Sequence, residues 1–233
     1  MLLVLLAASA SHAQAPSLAV VQAQQNFNPN SGATSITANI TTTAGNLLVA
    51  FVREGSNATD NFTVTDSAGQ SWAQAGAYKS LNSLNRSAIF YMANSAAVTS
   101  VTANFTTNGG VVRAGIVVYE ISGPESVSPI DAGPAANVST SSTSITSSPL
   151  STTSGNDILL FAVDVSGNQS GTNNSFVPGA GFSFPATGSA TTTRQAVAYQ
   201  IASSTQTNLT TSMSWGTAVG NGDSQFIAFK ATS

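Results

Sequence analysis

The chain has 233 residues, of which 42% are hydrophobic, while its 6 Lys+Arg and 9 Asp+Glu leave only 6% charged. It has no cysteine and a single histidine, His12, near the N-terminus. These counts exclude a disulfide framework, zinc–thiolate centres and, once His12 leaves with a leader, Ser-His-Asp catalysis; a net charge of −3 with singly scattered basic residues excludes nucleic acid as a partner.

In chain order, residues 2–10 (LLVLLAASA) are an apolar run ending in small residues, the pattern of a signal-peptide core and its cleavage zone. Ser11-His12-Ala13 places the expected cut after Ala13, so 1–13 reads as a signal peptide and 14–233 as one secreted domain. No later run approaches the roughly 20 apolar residues of a membrane span. From Leu18 onward, short runs of Val, Ile, Phe, Tyr and Thr are punctuated by Gly, Asn and Ser, with no helical period sustained over a dozen residues. The chain is expected to be all-β.

The first strand, 18–24, has no evident counterpart, but the rest of the chain repeats at an offset of about 110 residues. Ser35-Ile36-Thr37 recurs as Ser144-Ile145-Thr146, and Thr43-Ala44-Gly45-Asn46 as Thr153-Ser154-Gly155-Asn156. Phe51 then matches Phe161, Glu54 matches Asp164, and Arg86 to Tyr91 match Arg194 to Tyr199. Phe105 falls on Trp215, and Ile116 to Tyr119 on Phe226 to Phe229. The duplicated halves are 34–121 and 143–230, and the Pro- and Ser-rich stretch 122–142 reads as a linker. A jelly-roll-like antiparallel β-sandwich with interleaved halves is the expected architecture, and two tandem small sandwiches are the alternative.

The runs Ala44 to Val49, Val64 to Trp72 and Ile89 to Ala93, followed by Tyr119 to Gly123 and the closing Phe226 to Lys230, resemble a recurring module of secreted bacterial proteins. That module is similar to jelly-roll sandwiches of surface and multidomain extracellular proteins. The resemblance implies fold and an extracellular or cell-surface location, and no catalytic residue set.

Paired carboxylates are the one catalytic chemistry left open, and Glu54 with Asp164 is the sharpest pair because the repeat retains both. The competing reading of each is a solvated charge at a strand end. Asp66, before Ser67-Ala68-Gly69, reads as an Asx-type turn, with a structural calcium site on Asp60 or Asp66 as the alternative. Among the aromatic residues, Phe182 and Phe184 in a Gly- and Pro-rich stretch, together with Trp72 and Tyr78, are the candidate ligand contacts. The expected function is a secreted, non-catalytic module that binds a polysaccharide or cell-surface glycan. The alternatives are a filament or matrix subunit that partners copies of itself and donates strand 18–24, and a carbohydrate-active enzyme using Glu54 and Asp164.

Overall fold

The computed structural model describes residues 17–55, 60–81, 85–166, 176–215 and 221–232. The leader expected at 1–13 lies outside the described residues. The first half forms β1 (Ala19–Phe27), β2 (Ser35–Asn39), β3 (Leu47–Glu54), β4 (Phe62–Asp66), β5 (Ala73–Leu81), β6 (Asn85–Met92), β7 (Ser100–Phe105) and β8 (Gly115–Ser122). The second forms β9 (Ile130–Thr140), β10 (Ser144–Thr146), β11 (Asp157–Ser166), β12 (Val177–Pro178), β13 (Gln195–Ala202), β14 (Ser212–Ser214) and β15 (Asn221–Lys230). A sheet of order β1-β8-β3-β6-β5 faces one of order β2-β7-β4, and β9-β15-β11-β13 faces β10-β14-β12. The same strand order is thus used twice, with jelly-roll connections in each half.

Burial separates the two kinds of sheet. Strands β2, β4 and β7 alternate between buried and more exposed residues, as expected of a sheet with one wet face. Strands β3, β8, β11 and β15 are buried along nearly their whole length, because apolar layers cover both faces. One core, with Ile36, Leu48, Val52, Phe62 and Val118, fills the first half. Another, with Ile145, Phe161, Met213, Trp215 and Phe226, fills the second. A third joins the halves, with Leu47, Val49, Phe51 and Tyr119 meeting Ile158, Leu160, Val197 and Phe229. The molecule is therefore four layers, outer–inner–inner–outer. Of the two arrangements open to the sequence, the paired sandwiches are present: each half closes its own sheets, and the halves are not interleaved.

Two expectations are corrected at the edges. The stretch 122–142 is not only a linker, because it contains β9, which lies beside β15 as β1 lies beside β8. Strand β1 therefore has a counterpart, hidden in the sequence by Pro134 and the small polar residues around it. Both edges of β1 make backbone hydrogen bonds. One edge pairs with β8; on the other, Ala23 N–H donates to Thr187 O at 3.1 Å and Ser189 N–H to Ala23 O at 2.8 Å. This strap needs Gly188, whose φ is +82° and whose Cβ, if present, would lie 1.8 Å from Ala23 O. Gly76 is likewise required where β5 passes β9, since a Cβ there would lie 2.6 Å from Pro134 Cγ.

Candidate functional site

The register of the inner sheets shows which positions of the two halves are equivalent. Arg53 sits between Ser87 on β6 and Gly115 on β8. Asp164 sits between Gln195 on β13 and Asp223 on β15. Arg53 is thus the counterpart of Asp164, one residue away from the Glu54–Asp164 match read from sequence. The discrepancy arises at Asp157, which inserts one residue between the Gly-Asn turn and β11. A one-residue slip reverses the face of every side chain in a strand. Glu54 therefore shares the face of Val52, toward the outer sheet, while Asp164 points into the seam between the sandwiches. The proposed carboxylate pair does not meet, and neither acid is a solvated strand-end charge, because both are fully buried.

Arg53 and Asp164 form an ion pair through Nε and Oδ1 with both side chains inaccessible to solvent. Asn85 donates to Asp164 Oδ2 at 3.2 Å, and Arg53 Nη1 donates to the carbonyl of Arg113. On one side of this pair, Ser87 donates to Asp223 Oδ1 at 2.7 Å and Gln225 Nε2 to Ser87 Oγ at 3.0 Å. On the other side, Gln195 Nε2 donates to Phe51 O at 3.2 Å, and its Oε1 fills the space over Gly115, where a Cβ would lie only 1.8 Å away. Burial, and then the charge of Asp164, push the Asp223 carboxyl well above its ordinary pKa of 3.8. Burial also raises Asp164, opposed by Arg53. Arg194, 6% exposed, is lowered to about 10 by burial and by the neighbouring Arg53 and Arg113. This cluster was hidden in the sequence because its members are scattered in ones and twos over six strands and two turns.

The remaining expected site residues are committed to the scaffold. Asp66 accepts from Ala68 N–H at 2.9 Å, Gln70 N–H at 3.1 Å and Trp72 Nε1–H at 2.8 Å, so the Asx-type turn is present. Asp60, at the other end of β4, accepts from Thr106 N–H at 3.0 Å. The two acids do not converge, and among the described residues no group of three metal-ligating side chains is present. Tyr78 hydroxyl bonds the backbone of Phe62, while the Arg86 guanidinium lies 4.1 Å from the Tyr78 ring centre. Phe182 is buried edge-on to Phe226 and is core rather than a surface contact. Phe184 is half-buried against two cores. These four rings belong to two different sandwiches and form no common platform.

Two concavities among the described residues bear on binding. The first, of about 450 Å³, is lined by Gln25, Asn26 and Phe27 from the end of β1 and by Ser189, Thr191, Thr192 and Thr193 from the second half. None of these side chains titrates in the ordinary pH range, and Phe27 presents a half-buried ring beside the hydroxyls and amides. The second, of about 360 Å³, is bordered by Glu125, Ser154, Asn156 and Lys230. Nearby, burial and then Asp131 raise Asp157 to about 6. Burial raises Asp131 too, but hydrogen bonds from Thr153 and Ser154 outweigh it and lower its pKa. Split values of this kind suit an acid–base pair. Here, however, Asp157 is fully buried and absent from the lining, while Asp131 binds the Thr153–Ser154 turn. No protein-family model matches the chain, and no curated protein or solved structure is significantly similar to it.

Proposed function

We propose that this chain is a secreted, non-catalytic module that binds a glycan in the groove between β1 and residues 189–193. The observation that carries the reading is the lining of that groove: amides and hydroxyls around one phenyl ring, with no titrating side chain. Sugars present hydroxyls for neutral hydrogen bonds and C–H faces for an aromatic ring, and a volume of about 450 Å³ lies in the range of small-ligand sites. The signal-like run at 2–10 supports secretion. A filament role has less support, because the edge of β1 is already strapped by 187–189. The experiment is a glycan array on the mature protein, with and without EDTA, repeated with Gln25→Ala and Phe27→Ala variants of verified melting temperature. Expected is a restricted set of EDTA-insensitive hits weakened by both variants. An array without hits, or hits indifferent to both variants, overturns the reading.

A further inference from the structure

Three of the chain's four arginines gather at one end of the seam. Arg53 comes from β3, Arg113 from the turn before β8 and Arg194 from the turn before β13. Arg53 is fully buried with Nε on Asp164 and Nη1 on the Arg113 carbonyl, yet its Nη2 is buried without a hydrogen-bond partner. That nitrogen points toward the end of β3, where a Cβ on Gly55 would lie 3.6 Å from it and 3.4 Å from Arg113 Cβ. Arg113 holds a left-handed backbone, φ +55°, and remains half-exposed. Arg53 and Arg194 both act on the Asp164 carboxylate, while Arg53 and Arg113 both act on Arg194. A buried guanidinium donor without an acceptor is costly, and a bound anion relieves that cost.

The cluster adjoins the neutral groove. On the inner sheet, Phe27 pairs with Gly115 and Gly115 with Arg53, so their Cα atoms stand about 10 Å apart, two strand spacings, with the Gln195 side chain over the intervening glycine. Thr193, in the groove wall, immediately precedes Arg194. We infer that Arg53, Arg113 and Arg194 form an anion subsite at the end of the groove, and that the glycan it takes is acidic, carrying a uronate carboxylate or a sulfate ester. The neutral wall bonds the hydroxyls of the sugar, while the Arg113 fork and the free Nη2 of Arg53 take the anionic group. Burial first, and then the charges of Arg53 and Arg113, lower the pKa of Arg194 against the opposing charge of Asp164.

This inference rests on the glycan-binding reading, and calorimetry on the full chain separates the two. The probes are a galacturonate trisaccharide, a sulfated disaccharide, a neutral galactose trisaccharide and sodium sulfate alone. Expected is tighter binding of an acidic sugar than of its neutral analogue, weakened about tenfold by Arg113→Gln and only partly by Arg113→Lys. Among the described residues the Arg113 side chain makes no hydrogen bond or ion pair, and melting temperatures verify that these variants are folded. The carboxylate and sulfate arms show which anion is preferred. Equal binding of acidic and neutral sugars, or indifference to Arg113→Gln, overturns the anion subsite while leaving the glycan reading intact. Sulfate binding that depends on Arg113, with no sugar bound, supports the subsite and overturns the glycan reading. No binding of any probe overturns both.

Discussion

Asp223 lies directly across the strand pair from Asp164, both fully buried, and two adjacent buried carboxylates resist simultaneous ionisation. Asp164 has Arg53; Asp223 has only the Ser87 hydroxyl on one oxygen and no partner on the other. A carboxyl whose pKa is raised on folding binds its proton more tightly in the native state. Its contribution is complete at low pH and is lost as pH rises from the ordinary value of 3.8 through the raised one. Asp223→Asn keeps an acceptor for Ser87 and cannot ionise. The melting-temperature difference between this variant and the parent should therefore move steadily in the variant's favour as pH rises above about 4. A difference independent of pH would show that Asp223 does not titrate in this way. Little of this was legible in the sequence: 6 basic and 9 acidic residues in a Ser- and Thr-rich chain read as a few surface charges, yet none is fully exposed. Composition counts charges without placing them, and what gathers these is register between strands distant in sequence.

At the level of elements, alternation of apolar and polar residues revealed most strands, and the repeated Thr-x-Gly-Asn turns marked where β3 and β11 begin. The turns are held by acids that the repeat does not share. Glu120 accepts from Thr43 N–H and Asn46 Nδ2, both at 2.7 Å, whereas Asp131 on β9 accepts from Thr153 N–H at 2.6 Å. Strand β9 escaped the pattern because an edge strand covered on one side tolerates Pro and small polar residues. The strap over β1 was equally hidden, being backbone bonds around a single glycine. Gly188→Ala forces a Cβ into Ala23 O at a positive φ, so residues 187–189 must leave the edge. The expected cost is about 1–3 kcal/mol, with faster amide exchange at Ala23 and Ser189 than in the parent. Unchanged exchange there would mean that the strap tolerates the methyl group.

In the whole molecule, the two sandwiches pack as a homodimer would, with like surfaces meeting about a pseudo-twofold axis. Arg53 and Asp164, equivalent positions 111 residues apart, meet each other, as residues on such an axis do. Around them the same pair of positions is filled differently on the two sides, as Ser87 with Asp223 and as Gln195 with Gly115. Two copies of the first half would bury Arg against Arg, and two of the second Asp against Asp. The seam therefore accepts only unlike halves, a specificity that a symmetric interface lacks. Its energetics follow from burial. Breaking a buried ion pair strands a charge, whereas replacing both partners with apolar residues of similar volume often costs little. Arg53→Met alone should lower stability by about 3–5 kcal/mol, as should Asp164→Leu alone, and the double variant should recover most of that loss. Chemical denaturation of the four proteins at neutral pH measures the coupling. If the two single losses simply add in the double variant, the pair does not act as a unit, and selectivity for unlike halves rests instead on the fit of Gln195 over Gly115.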